Sequence, residues 1–377
     1  MEDLFMLAKG RYAPQAHVGL PEGTFEEEHG RNGFFGRVSH LYHAHPPTSW
    51  LRIEGPLRPR ALNALALVPG DAEDPRGTPV TFLENEDVAL RISRRRAPMP
   101  YAYRNGDGDE VWFVHRGGGR LETDYGPLVL EEGDYVVLPR GTTYRYTPTS
   151  EDPVVLVIES ASEVRLPDRG MLGRNALFDP GVIVTPSPAP SLAAGGEWEL
   201  VIRRAGAHTS VFYPFDPIDT VGWKGDLTPW KLNVRDFRPV MSHRYHLPPS
   251  VHTTMLGHNF VVCTFAPRPL EEDPEAVRVP FYHRNIDFDE VIFYHAGDFF
   301  SRDGIAPGMV TYHPVGIHHG PHPKAMAASW TKTATQEYAV MVDTRRPLRL
   351  SEEAARVEWG DYWASWGARE LAQEASS

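Results

Sequence analysis

Two histidines and one glutamate in the last third of the chain have the types and the spacing of a metal site. They lie in two stretches, HRNIDFDEVIFYHAG at 283–297 and GMVTYHPVGIHHG at 308–320. Both stretches predict short strands, and a strand exposes every second residue on one face. Antiparallel strands of this kind can therefore bring His283, Glu290 and His319 to one point.

Two imidazoles and one carboxylate on one face of a metal leave the opposite coordination positions open for other molecules. This is the arrangement of non-haem Fe(II) oxygenases. We therefore predict a metal site with three protein ligands. Three nearby residues are the competing candidates for the ligand roles: His318, His322 and Asp289.

The spacing of these residues is similar to that of the two cupin motifs. The first motif has a histidine, a second ligand position, a glutamate and a glycine, which correspond here to His283, Asn285, Glu290 and Gly297. The second motif has a glycine, a Pro-x-Gly turn and a histidine, which correspond to Gly308, Pro314, Gly316 and His319. Asn285 stands where many cupins have another histidine.

The first half of the chain repeats this pattern. The stretch YRNGDGDEVWFVHRG at 103–117 copies 283–297, and the second motif recurs between Gly133 and Tyr144. Such a repeat predicts two copies of one structural unit. Tyr103 and Tyr144 replace the two histidines, so we expect the first copy to have lost its metal and to serve as a scaffold. Binding of a small ligand there is left open.

The predicted fold class is all-β, a bicupin with two double-stranded β-helix (jelly-roll) barrels and a C-terminal helix. The predicted domains are 1–165, the first barrel with a loop-rich start, 166–240, a connecting segment, and 241–377, the iron-binding barrel with the terminal helix. Within them, 185–197 is expected to be an exposed loop. The tail is expected to form a helix that begins after Ser351.

Composition excludes several classes of function. The formal net charge of −12 argues against a nucleic-acid or anionic-membrane partner. No apolar run is long enough to span a membrane, and one cysteine, Cys263, allows no intrachain disulfide. A cytoplasmic location is expected. The glutamate run 26–28 is expected to lie on a solvated face, and His40, His43 and His45 follow no ligand spacing.

The chain resembles the homogentisate 1,2-dioxygenase family over most of its length. A segment near the start, EEHGRNGFFGRVSHLYH, fits that family. Four further segments carry the resemblance: WKGDLTPWKLN at 223–233, HLPPSVHTTML at 246–256, PFYHRN at 280–285 and GMVTYHPVGIHHGPHP at 308–323. The resemblance implies a homo-oligomer, a hexamer of two trimers.

The resemblance also implies roles for single residues. His283, Glu290 and His319 would bind Fe(II), His246 would act as acid and base near the substrate, and His313 would lie beside the iron. The substrate partners would be O₂ and a small aromatic molecule, homogentisate, cleaved to a maleylacetoacetate-type product in aromatic or tyrosine catabolism. Three residues are expected to line the substrate pocket: Asn285, Phe281 and Phe299. The family usually has tyrosine at the two phenylalanine positions.

Two other readings remain open at this point. A bicupin can use Mn, Zn or Ni for isomerisation or decarboxylation, although such sites often have the histidine that Asn285 replaces. A bicupin can also bind or store a small molecule without catalysis. One intact set of ligands beside one lost set argues against that last function.

Overall fold

The computed structural model describes residues 7–34, 36–278, 281–299, 301–302, 304–322, 325 and 331–366. These parts of the chain are mostly β-strand. No helix in the described ranges is long and apolar enough to cross a membrane.

Twenty-four strands are found in the described residues. In chain order they are β1 (Phe25–Gly30), β2 (Val38–His43), β3 (Arg60–Asn63), β4 (Val80–Glu84), β5 (Val88–Ser93), β6 (Ala102–Asn105), β7 (Asp109–Arg116), β8 (Gly119–Thr123), β9 (Gly126–Leu130), β10 (Asp134–Leu138), β11 (Thr143–Pro148), β12 (Val154–Ser160), β13 (Ala194–Arg204), β14 (Ala207–Phe215), β15 (Trp230–Asn233), β16 (Thr253–Gly257), β17 (Phe260–Phe265), β18 (Arg268–Pro269), β19 (Tyr282–Asn285), β20 (Asp289–Ala296), β21 (Met309–His313), β22 (Ala334–Thr335), β23 (Tyr338–Thr344) and β24 (Arg349–Leu350).

Helix is scarce in the described residues. The α-helix α1 covers Glu352–Arg356, and the Ser351 side chain caps it by accepting from the backbone N–H of Ala354 at 3.1 Å. The predicted tail helix is thus wrong in length: it stops after five residues, and residues 367–377 lie outside the description. The 3₁₀ turns are Ala64–Ala66, Gly70–Ala72, Gly170–Leu172, Pro180–Val182, Val234–Asp236, Pro249–His252 and Tyr362–Trp366.

Two barrels account for most of the strands. The first consists of a seven-stranded sheet, β15-β10-β7-β12-β5-β4-β24, and a six-stranded sheet, β14-β13-β6-β11-β8-β9. The second contains a six-stranded sheet, β16-β17-β23-β20-β21-β3, with a three-stranded sheet, β19-β1-β2, and the pair β18-β22. The prediction of an all-β bicupin is confirmed.

Strands from the beginning and the end of the chain pair with the barrel that is formed mainly by the other half of the sequence. β3 lies at the edge of the second barrel's sheet beside β21, whereas β24 pairs with β4 of the first barrel. β1 pairs in parallel with β19, and Glu28 there lies opposite His283. The predicted solvated face at 26–28 is wrong, because all three glutamates are buried in β1. Pairing across some 250 residues cannot be read from local sequence.

The predicted loop at 185–197 is correct only in part. Its last four residues begin β13, which forms a hairpin with β14 and pairs in parallel with β6. The segment 166–240 therefore adds strands to the first barrel's sheets. The domain boundaries at 165 and 240 remain predictions.

The central strands β7 and β20 are buried almost along their whole length. One face of each strand points into its own barrel, and the other joins a core shared by the two barrels. In this core Phe113 packs edge-on to Phe293, with ring centroids 6.4 Å apart. The repeated residues His115 and His295 meet there through their Nδ1 atoms at 3.0 Å. Both rings are buried, so the contact requires that one ring donates and the other accepts.

We expect this histidine pair to make stability depend on pH. Burial lowers the pKa of His115 to about 3, and burial lowers that of His295 to about 4. In the unfolded chain both titrate near ~6.5. The unfolded state therefore binds protons first as the pH falls. The contribution of the pair to the free energy of unfolding is complete above about pH 6.5 and is lost progressively toward pH 4. At about 1.4 kcal/mol per pKa unit, the loss amounts to several kcal/mol.

The measurement is the free energy of unfolding by urea between pH 7.5 and pH 4. Replacing both rings, with His115→Phe and His295→Phe, should flatten the dependence of the unfolding free energy on pH. The phenyl rings keep the shape of the side chains but do not titrate. The control His243→Gln changes an exposed histidine, 67% accessible in its side chain, and should leave the curve as it is. An equally steep curve in the double variant would contradict the assignment.

Candidate metal centre

Three separate backbone segments bring His283, Glu290 and His319 together inside the second barrel. His283 lies on β19, Glu290 on β20, and His319 follows β21. The backbones of the two histidines exchange hydrogen bonds of 2.9 and 3.1 Å in an isolated bridge. The predicted strand around His319 is therefore only this one bridge residue. All three side chains are buried.

The free nitrogen atoms of the two histidines point to one carboxylate oxygen. Nε2 of His283 lies 3.6 Å, and Nε2 of His319 3.7 Å, from Oε2 of Glu290. Each Nδ1 lies near a backbone carbonyl, 3.0 Å from Phe281 O and 3.2 Å from Ile317 O, so we assign the protons there. The Nε2 atoms then carry free lone pairs. Both are buried and have no hydrogen-bond partner in the described structure.

Unpartnered lone pairs beside a carboxylate oxygen are the donor set of a divalent transition metal. The ligand atoms of the three residues all lie within 4.8 Å of one another. Metal-binding histidines usually donate their other ring N–H to a carbonyl or a carboxylate, as both do here. The residues present therefore fit a bound metal ion.

The protonation states also suit a cation. Burial alone would raise the pKa of Glu290, but the imidazoles around it, first His319 and also His313 with its hydrogen bond to Oε1, bring it well below its usual range. Burial, together with the neighbouring His283, lowers the pKa of His319 to about 3. At neutral pH the site thus holds a carboxylate and a neutral imidazole, which are the forms that bind metal.

His313 fixes the orientation of the carboxylate. Its Nδ1 lies 2.7 Å from Oε1 of Glu290, so Nδ1–H donates there while Oε2 faces the two ligand candidates. On the other side its Nε2 lies 3.4 Å from the Tyr362 hydroxyl. His313 is fully buried, and its ring stacks on that of His319 with centroids 4.7 Å apart. It is placed to position Glu290 rather than to bind the metal itself.

We expect His313→Phe to weaken metal binding by about 10–100-fold, the usual cost of losing a group that orients a ligand. The phenyl ring fills the space but cannot donate to Oε1. The measurement is the metal dissociation constant in competition with a chelator. His313→Gln, which restores an N–H donor, should recover part of the affinity. An unchanged constant in His313→Phe would show that the hydrogen bond is irrelevant to binding.

His246 lies on the loop before β16 and is held from one side. Its Nδ1 lies 2.9 Å from Oε1 of Glu271, and the ring packs edge-on to Phe281 with centroids 6.2 Å apart. Burial lowers the pKa of His246, and the neighbouring Glu271 offsets part of that shift. The imidazole is therefore neutral at neutral pH, with Nε2 free to accept a proton. Phe281 in turn lies 5.8 Å from the ring of His283.

Family models match both halves of the chain. The model described as homogentisate 1,2-dioxygenase N-terminal matches residues 82–234, and the one described as C-terminal matches residues 243–372. Together they cover well over half of the sequence. The chain belongs to the homogentisate 1,2-dioxygenase family.

Individual relatives agree with this family. A protein of Saccharolobus solfataricus, named only provisionally as a dioxygenase, is 33% identical over 96% of this chain and 99% of its own length. The homogentisate 1,2-dioxygenase of Nitrobacter hamburgensis is 30% identical over 72% of this chain and 64% of its own. That of Pseudomonas putida is 28% identical over 74% and 68%. The chain thus spans slightly under two thirds of the Nitrobacter enzyme.

Two solved structures share parts of the fold. A cupin-2 domain protein from Shewanella frigidimarina is 20% identical and covers 22% of this chain and 79% of its own, with a TM-score of 0.20. Protein Ylba from E. coli is 8% identical and covers 77% and 91%, with a TM-score of 0.36. Both scores are low, and neither likeness adds to the family assignment.

The residues predicted to line the substrate pocket of this family member lie at different places. Phe281 is buried between His246 and His17, whose ring stacks on it at 4.0 Å. Asn285 is buried on the same strand as His283, and its Oδ1 has no described partner. Phe299 packs against Tyr294 at 4.9 Å within an apolar cluster of the barrel interior.

The competing ligand candidates are all engaged elsewhere. Nε2 of His318 lies 3.2 Å from Glu27, and Nε2 of His322 lies 2.5 Å from the carbonyl of Ser365. Asp289 accepts from the Tyr312 hydroxyl and from two backbone N–H groups.

A second group with metal-ligand residue types is formed by His17, Glu26 and His40. Here Nδ1 of His17 lies 2.8 Å from Glu26, and its Nε2 lies 3.6 Å from Glu28. Burial alone would lower the pKa of His17, but these glutamates raise it to about 9. The imidazole is therefore protonated, donates from Nδ1 to Glu26 and directs Nε2–H toward Glu28. As a cation it supports Phe281 instead of offering a lone pair to a metal.

Two acidic residues near the centre were missed by the sequence reasoning. Glu271 holds His246, and Asp343 lies opposite Glu290 on β23. Burial, together with the charge of Glu290, raises the pKa of Asp343 well above its usual range. Neither residue belongs to a recognisable motif. Strand pairing brings Asp343 to the centre, whereas Glu271 lies on the loop that follows β18.

Proposed function

We propose that this chain is an Fe(II)-dependent ring-cleaving dioxygenase that inserts O₂ into homogentisate or a closely related hydroquinone to give a maleylacetoacetate-type product. The observation that carries the proposal is the pair of buried, unpartnered Nε2 atoms of His283 and His319 beside Oε2 of Glu290. Membership of the homogentisate 1,2-dioxygenase family supports the choice of reaction and of substrate class.

In this proposal His283, Glu290 and His319 hold the iron. Bound there, Fe(II) would supply adjacent open positions for the aromatic diol and for O₂, and would mediate electron transfer between them. His313 keeps Glu290 in its binding orientation. The buried setting of all four side chains excludes bulk water and strengthens their mutual electrostatic interactions.

His246 is the residue that this structure offers for proton transfer. A phenol must lose its proton to bind a metal tightly, and a neutral imidazole with a free Nε2 can accept that proton. Glu271 holds the opposite nitrogen, so the ring is oriented and the resulting cation would be stabilised. Phe281 lies between this imidazole and the ligand candidate His283.

The cavity next to His246 is small, about 50 Å³, and reaches Ile292, Tyr294, Arg302 and Glu337. It has room for a few water molecules but not for an aromatic ring. Substrate binding therefore requires its walls to move. Its lining also carries charge, from Arg268, Arg278 and Arg302, which suits a substrate with a carboxylate group.

Phe281 and Phe299 are proposed to set the substrate preference. The family usually has tyrosine hydroxyls at these positions, and neither phenylalanine can donate a hydrogen bond. A site without these two donors loses less binding free energy when a substrate lacks the matching hydrogen-bond acceptor. This makes related hydroquinones or differently substituted phenylacetates plausible substrates beside homogentisate.

The experiment is oxygen uptake by the Fe(II)-reconstituted protein with homogentisate, gentisate and catechol in parallel. Uptake with homogentisate supports both the reaction and the substrate. Uptake only with another hydroquinone keeps the reaction and changes the substrate. No uptake with any of them, with iron shown to be bound, would contradict the proposed reaction.

We further propose, from the family resemblance, that the chain assembles into a homohexamer and acts in the cytoplasm. The sequence carries a single, buried cysteine, which fits a reducing compartment. Light scattering of the purified protein gives the mass of the assembly. A monomer at working concentration would contradict the oligomer.

A further inference from the structure

The first barrel encloses a cavity of about 580 Å³ that the proposed reaction does not use. Small-molecule sites commonly measure ~300–1,000 Å³. The cavity lies between the two sheets of this barrel, where inward-pointing residues alternate along β5, β7, β11 and β12. It therefore has the position and the size of a ligand site.

One side of the cavity is a set of aromatic rings in edge-to-face contact. Trp112 lies 5.4 Å from Tyr144 and 5.5 Å from Tyr146, and Tyr103 lies 5.5 Å from Tyr144. Tyr101 and Met99 extend this wall. Flat apolar faces of this kind favour a planar, unsaturated ligand.

Glu110 occupies the position in the first barrel that corresponds to Glu290 in the second, and its carboxylate already has hydrogen-bond partners. Glu110 accepts hydrogen bonds from Asn105 at 2.8 Å, from the Trp112 indole at 2.8 Å and from the Tyr144 hydroxyl at 3.0 Å. Burial, reinforced by Glu159, raises its pKa. With donors on both carboxylate oxygens, Glu110 offers neither a metal site nor a strong binding partner for a cation.

The carboxylates of the lining have ion-pair or hydrogen-bond partners, and its arginines form ion pairs with carboxylates, with one exception. Glu159 is paired with Arg91 and Arg203, and Asp107 with Arg203. Asp71 accepts from the hydroxyl of Ser93 and from a backbone N–H. The carboxylates therefore have little capacity left for a ligand.

Arg95 is the exception. Its side chain lines the cavity and is only 6% exposed. It donates to two neutral backbone carbonyls, of Pro75 and of Gly77 at 2.7 Å, and no described carboxylate forms an ion pair with it. Asp71 is near enough to interact electrostatically with this guanidinium but forms no ion pair with it. An anion in the cavity could therefore bind the guanidinium directly and offset the cost of its burial. It is thus the group in this cavity best suited to bind an anionic ligand.

We propose that the first barrel binds a small aromatic carboxylate, with its ring against Trp112, Tyr144 and Tyr146 and its carboxylate on Arg95. The site needs no metal, and it is independent of the reaction proposed for the second barrel. The tyrosines that replace the metal ligands, Tyr103 and Tyr144, form part of its wall. Loss of the metal in this barrel thus coincides with the gain of an organic binding site.

The test is isothermal titration of the full-length, metal-free protein with phenylacetate, and with phenylacetamide as the uncharged analogue. We expect phenylacetate to bind, and phenylacetamide to bind about 10–100-fold more weakly, the usual value of a hydrogen bond to a charged group. Arg95→Met should weaken phenylacetate binding by a similar factor. Arg95→Lys, which keeps the charge, should restore part of it.

Two further variants assign the binding to this cavity. Ala89→Phe places a ring in the cavity without touching the contacts of Arg95 and should abolish binding. This variant tests the site even if Arg95→Met fails to fold. Arg268→Met, the matched change at an arginine that lines the second barrel's cavity, should leave unchanged the binding that Ala89→Phe removes. No phenylacetate binding at millimolar concentration, equal affinity for the amide, or binding that survives Ala89→Phe would overturn the proposal.

Discussion

His319→Ala is expected to abolish metal binding. The change removes one of the three proposed ligands, and the alanine side chain leaves a gap beside Oε2 of Glu290. It also leaves His283 and Glu290 without the third donor that completes one face of the coordination sphere. The measurement is metal content per chain after reconstitution with Fe(II) and gel filtration. His283→Ala should behave in the same way.

His318→Ala is the matched control, because this neighbouring histidine turns away from the centre toward Glu27. It should retain full metal content, which shows that an alanine at this bend is tolerated. Full occupancy in His319→Ala would contradict the site. Loss of metal in both variants would trace the effect to folding instead of ligation, and a thermal unfolding curve of each would confirm that reading.

His246→Asn is expected to leave the metal in place and to lower turnover by about 10²–10⁴-fold, the usual contribution of a general acid and base. The imidazole contacts no metal-ligand candidate, since Phe281 stands between them. Only the proton acceptor is removed. The measurement is the rate of oxygen uptake at saturating substrate, beside the metal content of the same sample.

The pH profile gives this prediction a second readout. The pKa of His246 is lowered by burial, so the acid limb of the rate profile should lie below ~6.5. Glu271→Gln removes the charge that offsets the effect of burial and should move the limb to still lower pH. His252→Asn, the same change at a buried histidine bound to the carbonyl of Val240, is the control for packing. Unchanged turnover in His246→Asn would remove this residue from the mechanism.

The convergence of His283, Glu290 and His319 could be predicted from sequence because their spacing is local. His283 and Glu290 lie on adjacent strands joined by a short turn, and a Pro-x-Gly turn places His319. All three glycines of these motifs have backbone angles that favour glycine, with φ of 101° at Gly297, 83° at Gly308 and 88° at Gly316. Such positions fix the turns, and the turns fix the register of the strands.

The surroundings of the trio could not be predicted in the same way. The sequence of Glu26 to Glu28 predicts a charged, exposed surface. In the structure β1 pairs with β19, which is distant in sequence, and the three glutamates are buried. Glu271 and Asp343 reach the centre from strands and loops that carry no motif. Arg95 is the middle residue of three consecutive arginines, 94–96, which resemble an ordinary surface, and only the folded barrel shows its charge to be buried. Long-range pairing decided each of these positions.

The most direct test of the central claim is the fate of ¹⁸O₂ during turnover of homogentisate by the Fe(II)-reconstituted protein. If the buried trio of the second barrel supports ring cleavage, one O₂ is consumed per homogentisate and both labelled atoms appear in the ring-opened product, and His319→Ala forms none. Incorporation of one labelled atom into an intact ring, or no consumption of O₂ while iron is bound, would contradict the proposed dioxygenase.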